Sequence, residues 1–484
     1  VAGESRTIWD VIAARIADDP GGIAVGGTTE LTYAQLAASA TDLADRVAAI
    51  APPGSLVALE AEAPLMGVLA MLATTRAGCA LMPLSADSPP LRREMMIADA
   101  RPTAVLRAGA DAGAGAGLDV VALGPGRTDL AGVAYVLHTS GSTGRPKGVL
   151  ISQESLVERL AGLAVIPGLA IGESMFAMSA LSFDISMVEI LLPLTVGGTV
   201  VAAPYGSRLD PAIFVAAVDR YRPSVIQATP SFFRLVLATG WTGAPGSRIW
   251  CGGEALTPVL ARALMPRCAE LWNMYGPTEA TIWSSAALIR DSGAISLGDT
   301  VPGGSICLAE PDGAPARYIT EPGREGEILL YGNGLAVGYL ERPELTAQRF
   351  RTGLTPDGPV TCYYSGDRGR YRPDGKLEFL GRTDNQVKLR GNRIELGEIE
   401  SVVEECPGVS EVTLLVGSAD QPDRAYLAAF VVAEAPTTEQ VVRRWIAERL
   451  PSVMRPARIV MMDALPRTET GKVDRMFLTT ACGQ

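Results

Sequence analysis

Between residues 211 and 253 the sequence changes its hydrophobic period repeatedly, and this alternation excludes most folds. "PAIFVAAVDRYRP" (211–223) carries apolar residues at helical spacing, and "SVIQA" (224–228) is a short apolar run. "TPSFFRLVLATG" (229–240) is again helical, with a threonine to cap it and Gly240 to end it. "GTVVAA" (198–203) and "SRIWCGG" (247–253) are short, apolar and bounded by glycine, as buried strands are. Strands interleaved with helices predict an α/β architecture with a largely parallel sheet.

Past about residue 290 the pattern changes. "GEILLYGNGLAVGYL" (326–340) and "GRYRPDGKLEFLGR" (369–382) carry turn signals and read as hairpins, the clearest turn being Pro373-Asp374-Gly375. From Asp384 onward, "IELGEIESVVEE", "VTLLVG", "AYLAAFVV" and "EQVVRRWIAERL" predict a small α+β unit, so the main boundary is placed at Asp384, giving domains 1–383 and 384–484. "GAGAG" (113–117) is read as a surface loop. A chain of 484 residues is too long for one compact core in any case.

Charge and rare residues narrow the chemistry. A net charge of -11 argues against a nucleic-acid or anionic-membrane surface. No run approaches the roughly 18 apolar residues of a membrane span, and no basic stretch leads into an apolar one at the start. The seven cysteines are scattered without CxxC pairs, which fits a reducing, cytoplasmic setting better than disulfides or zinc. The single histidine, His138, cannot build a histidine-rich metal site, and it is read as packing at the end of a strand rather than as a general base.

His138 precedes "TSGSTGRPKG" (139–148), a run of hydroxyls and backbone amides able to wrap a polyphosphate. Its lysine is not spaced as in GxxxxGK[ST], which disfavours a P-loop NTPase, and Gly141-Ser142-Thr143-Gly144 is not a GxSxG nucleophile elbow. The loop belongs to a collinear series. In order, the series runs "LTYAQL" (31–36), "RAGCALMPLSADSP" (76–89), the loop itself, "FDIS" (183–186), "NMYGPTE" (273–279) and "GEILLYGNGLAVGYL". It continues with "YSGDRGR" (364–370), "GRTDNQVKLRGNRIELGEIE" (381–400), "LPSVMRP" (450–456) and "TGKVDR" (470–475). In this series the chain resembles the adenylate-forming enzymes, and within them the adenylation domains of non-ribosomal peptide synthetases.

The resemblance implies a large N-terminal region of parallel sheets plus a small β-barrel, and a small mobile C-terminal α+β domain. It also implies a two-step reaction using ATP and Mg²⁺. A carboxylate attacks the α-phosphorus of ATP and expels pyrophosphate; the acyl-adenylate then passes to the phosphopantetheine thiol of a carrier protein. An amino acid's carboxylate is ionised at pH 7, so no general base is needed. By the same resemblance, Thr139, Ser140, Gly141, Ser142, Thr143 and Gly144 contact the β,γ-phosphates, and Lys147 steadies either the loop or the phosphates. Tyr275 stacks on adenine beside Asn273, and Gly253, Glu254, Ala255 and Gly276 complete the nucleotide's surroundings. Thr278 meets the α-phosphate and Glu279 holds Mg²⁺, a hard cation suited to carboxylate and phosphate oxygens. Asp367 accepts the ribose hydroxyls with Arg382 nearby, Asp384 is the hinge, and Lys472 bridges carboxylate and phosphate oxygens as the catalytic residue. Two positions depart from the family pattern: Arg368 stands where a leucine is usual, and Thr470 where an asparagine is usual.

Asp184 lies between Phe183 and Ile185 in an apolar run, and a carboxylate in such a place needs a partner. In the resembled family this aspartate pairs with the α-amino group of the substrate. The remaining pocket positions fall on Ile185, Val188, Gln227, Trp250, Gly252, Met274, Ile282 and Trp283. Two indoles, a methionine and branched aliphatics crowd a site with one small residue, Gly252, so a small amino acid is expected: glycine, alanine or serine. The set resembles the family's glycine type, with Val188 and Trp250 in place of leucines. The leading expectation is a freestanding ligase charging a discrete acyl or peptidyl carrier protein in natural-product biosynthesis. The alternatives are a module excised from a larger synthetase, a ligase delivering to coenzyme A, and a catalytically reduced binding protein.

Overall fold

The computed structural model describes residues 6–85, 87–109, 117–141, 146–293, 295–310, 317–383, 386–389, 391–418, 425–467 and 473–482. The chain divides into two compact units: residues 1–85, 100–137 and 148–383 form the first, and residues 86–99, 138–147 and 384–484 form the second. Most of "GAGAG" lies outside the described residues.

The first unit is built on a nine-stranded sheet, a seven-stranded sheet and a six-stranded antiparallel sheet that curls into a nearly closed barrel. The predicted alternation is present in the nine-stranded sheet. Strands β1 (Ser174–Ala177), β2 (Val225–Ala228), β3 (Ala244–Gly252) and β4 (Cys268–Tyr275) run parallel side by side, and β5 (Ser285–Leu288) pairs antiparallel with β4. Helices α1 (Ile185–Val196), α2 (Pro211–Tyr221) and α3 (Pro230–Ala238) connect them. Thr229 caps α3 by accepting from Phe232 N at 3.3 Å. Both α1 and the helix Pro64–Arg76 are apolar on nearly every side, and both are buried in one core with residues of the nine- and seven-stranded sheets. The opposite face of the nine-stranded sheet carries a separate core that includes Ile226, Ile249 and Cys251.

Strand polarity assigns the site residues to faces. In the parallel register Gln227 lies beside Trp250, and Gly252 beside Met274. Side chains alternate along a strand, so Gln227, Trp250, Gly252 and Met274 share the face toward α1. Cys251 belongs to the other face, as the core it joins confirms.

One expectation is corrected in the six-stranded sheet. The strands β6 (Glu325–Gly332), β7 (Gly358–Tyr371) and β8 (Leu377–Arg382) include the predicted hairpin, β7–β8, turning through Pro373-Asp374-Gly375. The stretch 326–340 is not a hairpin. β6 pairs with Gly304–Ala309 and with β7, while Gly338–Tyr339 pairs with Val149–Leu150 of the seven-stranded sheet. The glycines that suggested a tight turn serve a strand that leaves one sheet for another. Arg368 is exposed on β7 and forms an ion pair with Glu325 on β6, which accounts for a charged residue in place of leucine.

In the second unit, Val409–Gly417, Tyr426–Ala433 and Arg458–Met462 form a three-stranded sheet. The helices Leu396–Glu404 and Glu439–Arg449 cover it with a core of their own. Among the described residues no helix is long and apolar enough to cross a membrane.

Candidate active site

Asp184 occupies the position before the first turn of α1, yet its carboxylate makes no capping hydrogen bond to the helix. It is half-buried, with Phe183 more exposed and Ile185 half-buried on either side. The capping role that competes with amine recognition is therefore not the one it plays. Val188, one turn on, is fully buried in the core between the sheets.

Gln227, on β2, is buried and all its polar groups are engaged. Its Nε2 donates to Ile185 O at 3.0 Å and to Glu189 Oε1 at 3.0 Å. Its Oε1 accepts from Trp283 Nε1 at 2.8 Å. Glu189, on α1, is completely buried and accepts three more hydrogen bonds: from Met178 N (2.9 Å), Ser179 N (2.8 Å) and Ser179 Oγ (2.6 Å). Burial pushes the Glu189 carboxyl up to about 7, against these donors, which favour the charged form. Neither Glu189 nor its network was anticipated from sequence. The available signal was a lone carboxylate in the otherwise apolar "ISMVEILLPLTV".

Gly252 has a steric reason for being glycine. A Cβ there would lie 2.6 Å from Trp283 Cη2, 2.7 Å from Met274 O and 2.8 Å from Met274 Cβ. The indole of Trp283 thus fills the room that the smallest residue of the wall leaves. Trp250, Met274, Ile282 and Trp283 are all buried in the same core as Val188. Gly252→Ala is expected to destabilise the protein by about 1–3 kcal/mol through overpacking, read as a lower midpoint in denaturant with an unchanged slope.

The residues expected to meet the nucleotide form a second group in this unit. Tyr275, at the end of β4, donates from its hydroxyl to Asp367 Oδ2 at 2.7 Å. Arg382 Nη1 pairs with Asp367 Oδ1, and Arg382 Nη2 donates to Ser365 O at 3.0 Å. Asp367 is thus a nearly buried carboxylate held from two sides. Burial, reinforced by Asp367, raises the Tyr275 hydroxyl well above its usual range, so it remains a donor. Asn273 Nδ2 donates to Ser296 O at 2.8 Å. Gly276 is pressed against the backbone of residues 282–284: a Cβ would come within 2.1 Å of Ile282 O.

Glu279 is fully buried in the single helical turn Thr278–Ala280, and Tyr339 donates to its Oε1 at 2.8 Å. This one carboxylate is a hard oxygen donor that fits Mg²⁺, which takes few protein ligands and completes its shell with phosphates and water. Among the described residues no larger cluster of metal-ligating side chains exists. Tyr339 is a further supporting residue that sequence reasoning missed. Gly253 follows the pocket glycine with φ +85°, Ala255 is exposed, and Glu254 Oε2 accepts from Ser231 N (3.0 Å) and Ser231 Oγ (2.7 Å) at the start of α3.

In the second unit, Thr139 and His138 are half-buried at a strand end, and Lys147 is buried. Ser140 Oγ donates to Arg393 O at 2.8 Å, and the Gly141 amide donates to Glu398 Oε2 at 3.0 Å, so this amide already accommodates an oxyanion. Ser142, Thr143, Gly144, Asp384 and Lys472 lie outside the described residues.

Comparison with known proteins agrees with this arrangement. Residues 12–340 match the family model "AMP-binding enzyme", and residues 398–472 match "AMP-binding enzyme C-terminal domain". A dimodular nonribosomal peptide synthase of Bacillus subtilis is 34% identical over 451 residues, covering 88% of this chain and 19% of that protein. The chain thus spans about a fifth of that relative's length. The crystal structure of holo-AB3403, a four-domain nonribosomal peptide synthetase bound to AMP and glycine, is 31% identical. It superposes with a TM-score of 0.70 over 97% of this chain and 36% of that one. Holo-PA1221, which contains adenylation and PCP domains, is 26% identical with a TM-score of 0.85, covering 98% of this chain and 84% of that one. With both family models matched in order and these relatives aligned along almost the whole chain, the protein belongs to the AMP-binding enzyme family, on the branch of the nonribosomal peptide synthetase adenylation domains.

Proposed function

We propose that the protein activates a small amino acid, glycine or alanine, as the aminoacyl-adenylate and passes it to the phosphopantetheine thiol of a carrier protein. As an adenylate-forming ligase it uses ATP with Mg²⁺. The observation that carries the substrate reading is the Trp283 indole filling the space over Gly252, its Nε1 held by Gln227 Oε1. Asp184, uncommitted to capping α1, is the carboxylate for the substrate's ammonium group. The similar synthetase bound to AMP and glycine supports the same substrate class.

In this reading Asp184 holds the ammonium, and the wall formed by Trp250, Met274, Ile282 and Trp283 excludes a long side chain. The substrate carboxylate then attacks the α-phosphorus: a C–O–P bond forms and the bond to the pyrophosphate leaving group breaks. Thr278 and the loop from Thr139 to Gly144 donate to phosphate oxygens, Asp367 with Arg382 holds the ribose, and Tyr275 packs on the base. Glu279 would hold Mg²⁺, which would supply charge to offset that of the phosphates. Lys472 donates to the oxygens on which charge reorganises. Asp384 is the hinge about which the small domain turns for transfer to the thiol.

Pyrophosphate exchange with each proteinogenic amino acid tests the reading. Activity is expected with glycine and alanine and nearly none with valine, leucine or phenylalanine, because excluding a larger group is easier than rejecting a smaller one. Trp283→Ala or Trp250→Ala is expected to admit longer side chains at some cost in stability. A wild-type preference for a large aromatic or branched amino acid overturns the assignment. Adding a holo-carrier protein or coenzyme A to the adenylate then identifies the acceptor, and thioester formed only on coenzyme A overturns the carrier half of the reading.

A further inference from the structure

We propose that Glu189 is a positioning residue of the amino-acid pocket: by orienting the Gln227 amide it holds Trp283 over Gly252, so selectivity for small side chains is set one layer behind the lining. This rests on the reading of the Asp184 pocket as the substrate site.

The argument is an account of donors and acceptors. Gln227 has one carbonyl oxygen and two N–H groups. Both N–H groups face acceptors, Ile185 O and Glu189 Oε1, and the oxygen faces a donor, Trp283 Nε1. Turning the amide over would oppose oxygen to Ile185 O and to a carboxylate, and N–H to the indole N–H. All three contacts would become repulsive, so only one orientation is compatible with its neighbours. Glu189 in turn cannot move away. The backbone amides of Met178 and Ser179, which follow strand β1, hold its Oε2, and the Ser179 hydroxyl shares Oε1 with Gln227. The relay therefore runs from the end of β1 through α1 and β2 to the loop carrying Trp283. It ends in a ring whose far edge occupies the place of a Gly252 side chain.

The relay also explains why a carboxylate is tolerated in the most apolar helix of the unit. A buried charged group must be paired or fully hydrogen-bonded, and here four donors converge on two oxygens. Glutamine at 189 would satisfy the two backbone amides through its oxygen but present N–H to Gln227. Opposed donors at that contact would push the Gln227 amide out of place and weaken its hold on Trp283.

Glu189→Gln is therefore expected to relax size selectivity. The ratio of kcat/KM for glycine to that for valine should fall about tenfold or more, while the KM for ATP at saturating amino acid stays at its wild-type value. Trp283→Phe, which removes the indole N–H but keeps an aromatic ring, should relax the ratio similarly. Adding Glu189→Gln to Trp283→Phe should change the ratio no further, because both act through one hydrogen bond. If Glu189→Gln fails to fold, Glu189→Asp carries the same comparison, since it withdraws the carboxylate from Gln227 by one methylene. A Glu189 variant that keeps the wild-type ratio, or whose effect adds in full to that of Trp283→Phe, overturns the inference. The wild-type panel tests the underlying reading separately. A wild type that accepts no small amino acid overturns both, whereas a selective wild type with an equally selective Glu189 variant overturns only this inference.

Discussion

Lys472→Ala is expected to lose adenylation by at least roughly 100-fold while still forming thioester from preformed aminoacyl-adenylate. In the proposed reading, by likeness to the adenylate-forming family, Lys472 of Gly471-Lys472-Val473 meets the oxygens shared between carboxylate and α-phosphate. Charge on those oxygens reorganises as the C–O–P bond forms, so a cation there binds the transition state more tightly than the substrates. Losing one such donor costs about 3–4 kcal/mol in comparable sites. In the proposed reading the domain carrying the lysine turns away before the thiol attacks, so the second half-reaction should be spared. Supplying chemically prepared adenylate and following thioester formation isolates that step. Equal losses in both half-reactions would sink the role assigned to Lys472 and the hinge assigned to Asp384 with it.

The second large effect concerns Asp184. Asp184→Ala should leave the ammonium group of a bound amino acid desolvated without its partner, which costs about 2–5 kcal/mol where such a pair is shielded from water. That is a loss of roughly 30-fold or more in kcat/KM for glycine or alanine. Propionate or acetate, which lack the amine, should lose far less and can gain, since they never engage the Asp184 carboxylate. The measurement is pyrophosphate exchange with alanine and propionate, in the wild type and in the variant. An identical response of the two substrates would show that Asp184 does not recognise the amine.

Much of this protein is encoded in short stretches. The Thr229 cap, the change of hydrophobic period between 211 and 253, and the Pro373-Asp374-Gly375 turn are signals read within about ten residues, and each forms the element it predicts. The collinear motifs point to candidate pocket and nucleotide residues for the same reason: each is a local run whose spacing suits one piece of chemistry. Asp184 stands out because a carboxylate in an apolar run needs a partner, whatever surrounds it.

What the sequence alone left open are the relations between stretches distant along the chain. Whether 326–340 closes as a hairpin depends on which strands lie beside it, and Gly338–Tyr339 pairs with Val149–Leu150 instead. Gln227 is expected only as a pocket position; the tertiary structure directs its amide to Ile185, Glu189 and Trp283. Gly252 is expected as the one small residue of a crowded site, and the tertiary structure shows the Trp283 ring packed against it. Hydrogen bonds and close packing join side chains that share a position in space, and sheet order and register set that position. The chain by itself therefore determined which chemistry is present, while only the folded arrangement decided which polar groups remain to face a ligand and how much room it has.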